Sequence, residues 1–164
     1  SGLALAGANH SPDEEKDAEG ARDDGILTAA EVAACDLRRA KLVVLSACET
    51  GLGKNSGGEG LLGLRRSFHV AGARSVVASL WKVDDTATQT LMQRFYDNLL
   101  VKRLPKLEAL RESQLWMLSA RTPEELASRG GTKRVAKVSS APLDSGGRLP
   151  PYYWAAFLLS GDWQ

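Results

Sequence analysis

The 164-residue chain contains few cysteines and few histidines, two of each. Two cysteines, Cys35 and Cys48, are too few for a disulfide scaffold and favour a reducing, cytoplasmic setting. Two cysteines and two histidines without close spacing also make a poor zinc site. We therefore expect a cytoplasmic protein without a structural metal, in which Cys35 packs in the core.

The chain also lacks a charge excess and a long apolar run. Its 21 basic and 20 acidic side chains leave a net charge of +1, which gives no electrostatic case for binding nucleic acid or an anionic membrane. No apolar stretch approaches the roughly 20 residues that cross a bilayer, and the first residues show no signal-peptide pattern. We expect neither nucleic acid nor a membrane among its partners.

The composition, 43% apolar and 25% charged, is that of a globular protein with about one domain. The chain begins with Ser1, and SGLALAG resembles the interior of a fold, so we expect a single domain over residues 1–164 that is truncated at its N-terminus. Residues 11–25 hold seven acidic side chains, and residues 129–151 are rich in Gly, Ser, Lys and Pro. Both segments are predicted to be loops.

The apolar pattern predicts strands that alternate with helices. Residues 42–45 and 75–80 have the β-branched, continuously apolar character of strands buried on both faces. Residues 3–6 and 154–160 are predicted to be two further strands. This alternation predicts an α/β fold with a mostly parallel sheet and helices on both faces.

Helix signals lie between these strands. Thr28 and Glu31 have the spacing of a capping box at the start of a short helix. A second helix is predicted over residues 60–70, ended by Gly72, and a third after Asp84 as its N-cap. Two more are predicted after Pro105 and near Thr122.

Two partial ligand motifs fail on specific positions. The turn GLGKNSGGEG lies where a phosphate loop would, but Cys48 and Asn55 replace a required glycine and a magnesium-binding hydroxyl. The segment DDGILTAAE matches the end of a calcium loop, yet Gly20 and Arg22 occupy the first ligand positions. The sequence therefore indicates no cofactor.

The stretch LVVLSACETG places Cys48 directly after the most apolar predicted strand. Ligands and catalytic groups of open α/β sheets gather beyond such strand ends, and a free thiol there needs a base to ionise at neutral pH. His69 is predicted to lie about 13 Å along its helix from the relevant edge, and His10 falls in the acidic loop. On these residues alone, a buried structural cysteine and a nucleophile remain equally open.

Several blocks in order resemble the CHAT domain family, which is similar to caspases and separases. They are DGILTAAE, SACETGLG, GGEGLLGLRRSFHVAGARSVVASLWKVDD and YYWAAFLLSGDW. The resemblance implies a three-layer caspase-like fold and a cysteine peptidase with Cys48 as the nucleophile of a Cys–His dyad. The family's histidine stands in a His-Gly sequence, which this chain lacks, so we expect it upstream of Ser1.

The resemblance also implies a pocket for a basic substrate side chain. In SLWKVDD it makes Asp85, with Asp84 beside it, the acidic partner of arginine or lysine, and Trp81 a wall of the pocket. The residues allow a simpler interpretation, in which Asp84 caps a helix, Asp85 favours its first turn and Trp81 is core.

Two functions therefore remain open. One is a peptidase acting on a protein or peptide substrate, with tetratricopeptide repeats in the same full-length chain, as is common in the family. The other is a catalytically inactive CHAT-like interaction or regulatory module. Tyr152, Tyr153 and Trp154 are expected to pack at the start of the last strand, with a role at the substrate rim as the alternative.

Overall fold

The computed structural model describes residues 2–5, 25–46, 59–81, 83–120, 125, 128 and 148–164. The chain divides into two compact units. The first comprises Ser1–Val43 and Glu49–Arg74, and the second comprises Val44–Cys48 and Ser75–Gln164. Both contain helices and strands, so the predicted mixed α/β class is confirmed. The single domain over residues 1–164 stays a prediction.

The first unit opens with two short antiparallel strands, β1 (Gly2–Ala4) and β2 (Ile26–Thr28). Helix α1 (Ala29–Ala34) follows β2 without a break. The predicted capping box is confirmed: Glu31 N–H donates to Thr28 Oγ1 at 3.3 Å, and Thr28 N–H donates to Glu31 Oε2 at 2.7 Å. These bonds from Thr28, chiefly the one from its backbone, lower the pKa of Glu31 below its ordinary value.

Helix α2 (Glu59–Val70) packs against α1 within the first unit. The helical spacing of Leu61, Leu64 and Phe68 in the sequence predicts one apolar face, and Leu64 and Phe68 are buried on this helix. Gly72 follows the helix with a positive φ of 101°, which confirms the predicted glycine stop. The neighbouring carbonyl of Ala71 accepts a 2.7 Å bond from Leu37 N–H and so ties this end to the segment after α1.

The prediction that Cys35 is a core residue is wrong. The side chain is exposed at the C-cap of α1, and its Sγ donates to the Glu31 carbonyl at 3.3 Å. Helix α1 buries Val32 instead. Cys35 is the C-cap, where the backbone is already extended (φ −71°, ψ 154°), so its side chain does not continue the buried face of the helix.

The second unit is built on a three-stranded sheet in the order β3-β4-β5. Its strands are β3 (Val43–Leu45), which begins in the first unit, β4 (Ser75–Ser79) and β5 (Phe157–Gly161). Every residue of β4 is buried, as predicted for a strand covered on both faces. Strands β4 and β5 are antiparallel, with Ser79 opposite Phe157. Both strand pairs of defined register are thus antiparallel, and the mostly parallel sheet is not confirmed.

The helices of the second unit are α3 (Asp85–Tyr96), a π turn (Asp97–Val101) and α4 (Lys106–Leu118). The helical spacing of Ala87, Leu91, Phe95 and Leu99 predicts one apolar face after Asp84. Ala87, Leu91 and Phe95 are at most 1% exposed, whereas Leu99 lies in the π turn and is half-buried. Helix α4 packs against α3. Within the described ranges, no helix has the length and apolar character of a membrane span.

The C-terminal strand begins later than predicted, because the first residues of the segment 154–160 are not extended. Pro151–Trp154 forms a helical turn, α5, and the strand starts at Phe157. Proline has no N–H to give a strand partner and fixes φ at a helical value, so Pro151 suits the first position of a helix. Tyr153 is buried in this turn and packs there, not in a strand.

Several predictions fall outside the described residues. They are the glycine-rich turn after β3, the acidic segment 11–24, most of the predicted helix near Thr122 and nearly all of the segment 129–151.

Candidate functional site

The three residues of the predicted basic-side-chain pocket lie on one connection of the second unit. This connection joins the end of β4 to the start of α3 and carries Trp81, Asp84 and Asp85. Val83, between them, is 2% exposed and anchors the connection in the core. Cys48, the predicted nucleophile, lies outside the described residues.

Asp84 is engaged by the helix that it precedes. Its Oδ1 accepts a 3.0 Å hydrogen bond from the N–H of Ala87, as expected of an N-cap. This bond satisfies one of the free amides at the start of α3. The predicted cap is confirmed, and a role of Asp84 toward a substrate stays a prediction.

Asp85 differs from its neighbour because its carboxylate is free. It is the first residue of α3 and is exposed. Among the described residues, its side chain has no hydrogen bond and no ion pair. The nearby N-terminal amides of α3 favour its negative charge. Asp85 therefore presents an exposed acceptor that can receive two N–H groups from a guanidinium or one from an ammonium.

Trp81 is partly exposed and is held at its indole nitrogen. Trp81 is 36% exposed. Its Nε1 donates a hydrogen bond to the carbonyl oxygen of Tyr152 in α5 at 3.1 Å. The preceding residue is also fixed, since Leu80 N–H donates to the Ala156 carbonyl at 2.7 Å. Trp81 is thus not a core residue, and its ring is an apolar surface of defined orientation.

Two features beside this connection were not predicted from the sequence. The hydroxyl of Ser79, at the end of β4, is buried and has no hydrogen-bond partner among the described residues, and the same holds for Thr88 in α3. The other feature is the Tyr152 carbonyl that holds Trp81. A serine at the end of the apolar run SVVAS was the only available sign of the former. No sequence signal pointed to a carbonyl 71 residues away.

The structure describes one of the two histidines. His69 lies near the end of α2, in the first unit, where Nδ1 is 3.2 Å from the carbonyl oxygen of Ala73. His10 lies outside the described residues. Across the described ranges, His, Cys, Asp and Glu side chains do not gather in groups of three or more that would hold a metal ion.

Comparison with known proteins agrees with the resemblance found in the motifs. The CHAT domain model matches residues 1–162. The protein named tetratricopeptide repeat protein 28 of Mus musculus is 41% identical over 76 residues, and its Homo sapiens counterpart is 39% identical over 75 residues. Each match covers 46% of this chain and 3% of the relative. No solved structure matches the chain. Because the family model spans nearly all 164 residues, the chain belongs to the CHAT domain family.

Proposed function

We propose that the chain is part of a cysteine endopeptidase domain that cleaves protein or peptide substrates after a basic residue. Membership of a caspase-like family supports a peptidase-like domain. The proposal includes the three-layer caspase-like arrangement with a mostly parallel sheet, although the two strand pairs of defined register, β1–β2 and β4–β5, are antiparallel and do not support the parallel part of it.

One observation supports the preference for a basic residue: of two adjacent aspartates, one caps a helix and the other has an exposed carboxylate without a described partner. One carboxylate oxygen of Asp84 accepts a hydrogen bond from the Ala87 amide, whereas the Asp85 side chain is exposed and has no partner among the described residues. An exposed carboxylate and a partly exposed indole on the same connection are suitable groups for binding arginine or lysine, since the carboxylate pairs with the charge and the ring face attracts it.

In the proposed reaction, the Cys48 thiolate attacks the carbonyl carbon of the basic residue. Backbone N–H groups stabilise the oxyanion, and a protonated histidine gives its proton to the departing amine as the C–N bond breaks. Water, deprotonated by the same histidine, then hydrolyses the thioester and restores the thiol. The histidine belongs to a His-Gly sequence that the 164 residues do not contain, so the proposal takes it from residues that precede Ser1.

The role of Asp85 is tested by its amide variant in the full-length protein. Asp85→Asn keeps the shape and removes the charge, so kcat/KM for a peptide with arginine before the scissile bond should fall about 10- to 100-fold. Cleavage of the same peptide with norleucine should not fall. Asp97→Asn is the matched control, because Asp97 is also exposed in the second unit, at the start of the π turn. Unchanged arginine cleavage by Asp85→Asn would remove this residue from the site.

The second function is that of a CHAT-like module without catalysis, which applies if no base reaches Cys48. Neither histidine of the chain stands before a glycine, and His69 already bonds the Ala73 carbonyl. A cysteine without a base is a poor nucleophile, so the domain would serve as an inactive interaction or regulatory module.

Thiol reactivity separates the two functions. Because Cys35 is exposed, the measurement uses the full-length Cys35→Ser protein, and alkylation by iodoacetamide is followed on the peptide that contains Cys48. An activated thiol should react well below the ordinary pKa of about 8.5. A Cys48 that reacts no faster than a model thiol across that range would support the inactive module.

The domain's setting is also part of the proposal. The curated relatives are named as tetratricopeptide repeat proteins, and the matches cover 3% of their length. We therefore place such repeats in the same full-length chain, where they would recruit partners, and we place the protein in the cytoplasm. Fractionation of cells that express the full-length protein tests the location.

A further inference from the structure

We infer that α5 is a positioning element for the basic-side-chain site. The Tyr152 carbonyl holds the Trp81 indole in one orientation, and that orientation contributes to the preference for a basic residue. The inference rests on the proposed function, because it concerns the same site. Its basis is the 3.1 Å hydrogen bond from Trp81 Nε1 to the Tyr152 carbonyl oxygen, which joins two exposed residues 71 positions apart.

Trp81 is fixed at two points. Its backbone follows Leu80, whose N–H donates to the Ala156 carbonyl and extends the β4–β5 pairing by one residue. Its ring is held at the nitrogen by Tyr152. A side chain restrained both at its root and at a distal ring atom cannot rotate freely, so its exposed face keeps one direction.

The carbonyl that holds the ring is itself rigid. Pro151 occupies the first helical position of α5, and Tyr153 is buried at 1% exposure. Trp154 Nε1 donates to the Leu149 carbonyl at 3.1 Å, a bond that joins the end of α5 to the residues just before it. Helix α5 also packs against α3 and α4. The acceptor is therefore set by the core of the second unit.

A fixed indole matters for binding a cation. The attraction between a cation and a ring depends on the cation lying over the ring face. A ring that is already oriented loses no rotational freedom when the ligand arrives, which preserves affinity. The C-terminal segment would thus set the specificity of a connection that lies far earlier in the sequence.

The bond itself is tested by hydrogen exchange at the tryptophan indoles, followed by NMR on the 15N-labelled protein. Trp81→Phe assigns the Trp81 signal by its disappearance. We expect this N–H to exchange more slowly than that of Trp163, which is 57% exposed and whose indole has no described partner. Tyr152→Ala keeps the carbonyl and should keep the protection, whereas Pro151→Gly, which loosens α5, should weaken it. Equal exchange at Trp81 and Trp163 would overturn the inference.

The consequence for specificity is tested in the full-length protein by the ratio of kcat/KM for arginine and norleucine peptides. Trp81→Phe keeps an aromatic ring but loses the donor, and it should lower this ratio about fivefold. Trp163→Phe, the same change at another exposed tryptophan of the second unit, should leave the ratio unchanged. Pro151→Gly should lower the ratio in the native protein. It should have no further effect in the Trp81→Phe variant, because both changes remove the same hydrogen bond between the Trp81 ring and the Tyr152 carbonyl.

The failures of the two proposals are distinguishable. If arginine peptides are cleaved and Asp85→Asn abolishes the preference while Trp81→Phe does not alter it, the positioning role is overturned and the proposed function stands. If the effects of Pro151→Gly and Trp81→Phe multiply, α5 acts by another route and the inference is overturned. If the protein cleaves no arginine peptide, and Nα-acetyl-arginine amide leaves the Trp81 indole signal unmoved, both proposals fail.

Discussion

Arg94 of α3 donates two hydrogen bonds to the carboxylate of Glu112 of α4. Nε donates to Oε2 at 3.1 Å, and Nη2 donates to Oε1 at 2.5 Å. The same guanidinium lies over the ring of Trp116, 5.1 Å from its centre. The buried side-chain amide of Asn98, in the π turn, also donates to Glu112. One carboxylate thus joins three consecutive helical segments of the second unit.

The stability of the second unit should depend on the ionisation of Glu112. The Arg94 hydrogen bond is the largest effect on the pKa of Glu112 and lowers it below its ordinary value of 4.5. Desolvation opposes this shift, and the bond from Asn98 and the positive charges of Arg94 and Lys102 add to it. Because the folded pKa is the lower one, this stabilisation is complete above pH 4.5 and is lost as pH falls through the folded pKa. Urea unfolding between pH 7 and pH 3 should show a gap between the native protein and Glu112→Gln that narrows below that value. A gap of constant size would contradict the assignment.

Substitutions of Asp84 and Asp85 should have different effects on the free energy of unfolding. Asp84→Ala removes the cap on Ala87 N–H and should lower the free energy of unfolding by about 1 kcal/mol. Asp84→Asn keeps an acceptor oxygen and should cost much less. Asp85→Asn should change stability by only a few tenths of a kcal/mol, since it alters just the interaction with the helix end. A loss for Asp85→Asn as large as for Asp84→Ala would mean that Asp85 has a structural partner.

Gly72 should tolerate no side chain. Its φ is +101°, and an added Cβ would lie 2.7 Å from Arg38 Cγ and 3.0 Å from Arg38 N. Gly72→Ala should therefore destabilise the protein by more than about 1 kcal/mol, measured by thermal or urea unfolding. Gly63→Ala is the control, because Gly63 is exposed within α2 and alanine there should stabilise the helix by about 0.5–1 kcal/mol. Equal effects at the two glycines would contradict the close approach.

Features set by neighbours in the sequence could be predicted, and features set by distant contacts could not. The capping box of Thr28 and Glu31 and the N-cap Asp84 were predicted, because each bond spans three residues. The buried character of β4 follows from its own apolar run. In contrast, the aromatic residues of α5 favour a strand when judged by propensity, and it is the proline at its start and the burial of Tyr153 that select a helical turn.

The candidate site shows the same division. The motif SLWKVDD located Trp81, Asp84 and Asp85, but it carried no information on which aspartate would be free. The contact of Trp81 with Tyr152 joins residues 71 apart, and the ion pair of Arg94 with Glu112 joins residues 18 apart on two helices. Periodicity describes which face of a helix is apolar, and it does not identify the polar partner across an interface.

The π turn between α3 and α4 contains one residue more than an α-helical turn would need. In it, Lys102 N–H donates to the Asp97 carbonyl five residues earlier, one residue more than an α-helical turn encloses. Such a turn absorbs a surplus residue without shifting the phase of the helix before it. Loss of the exposed Leu100 would return the segment to α-helical spacing and leave the buried face of α3 in place, so the turn can lose or keep one residue without disturbing the core contacts of α3.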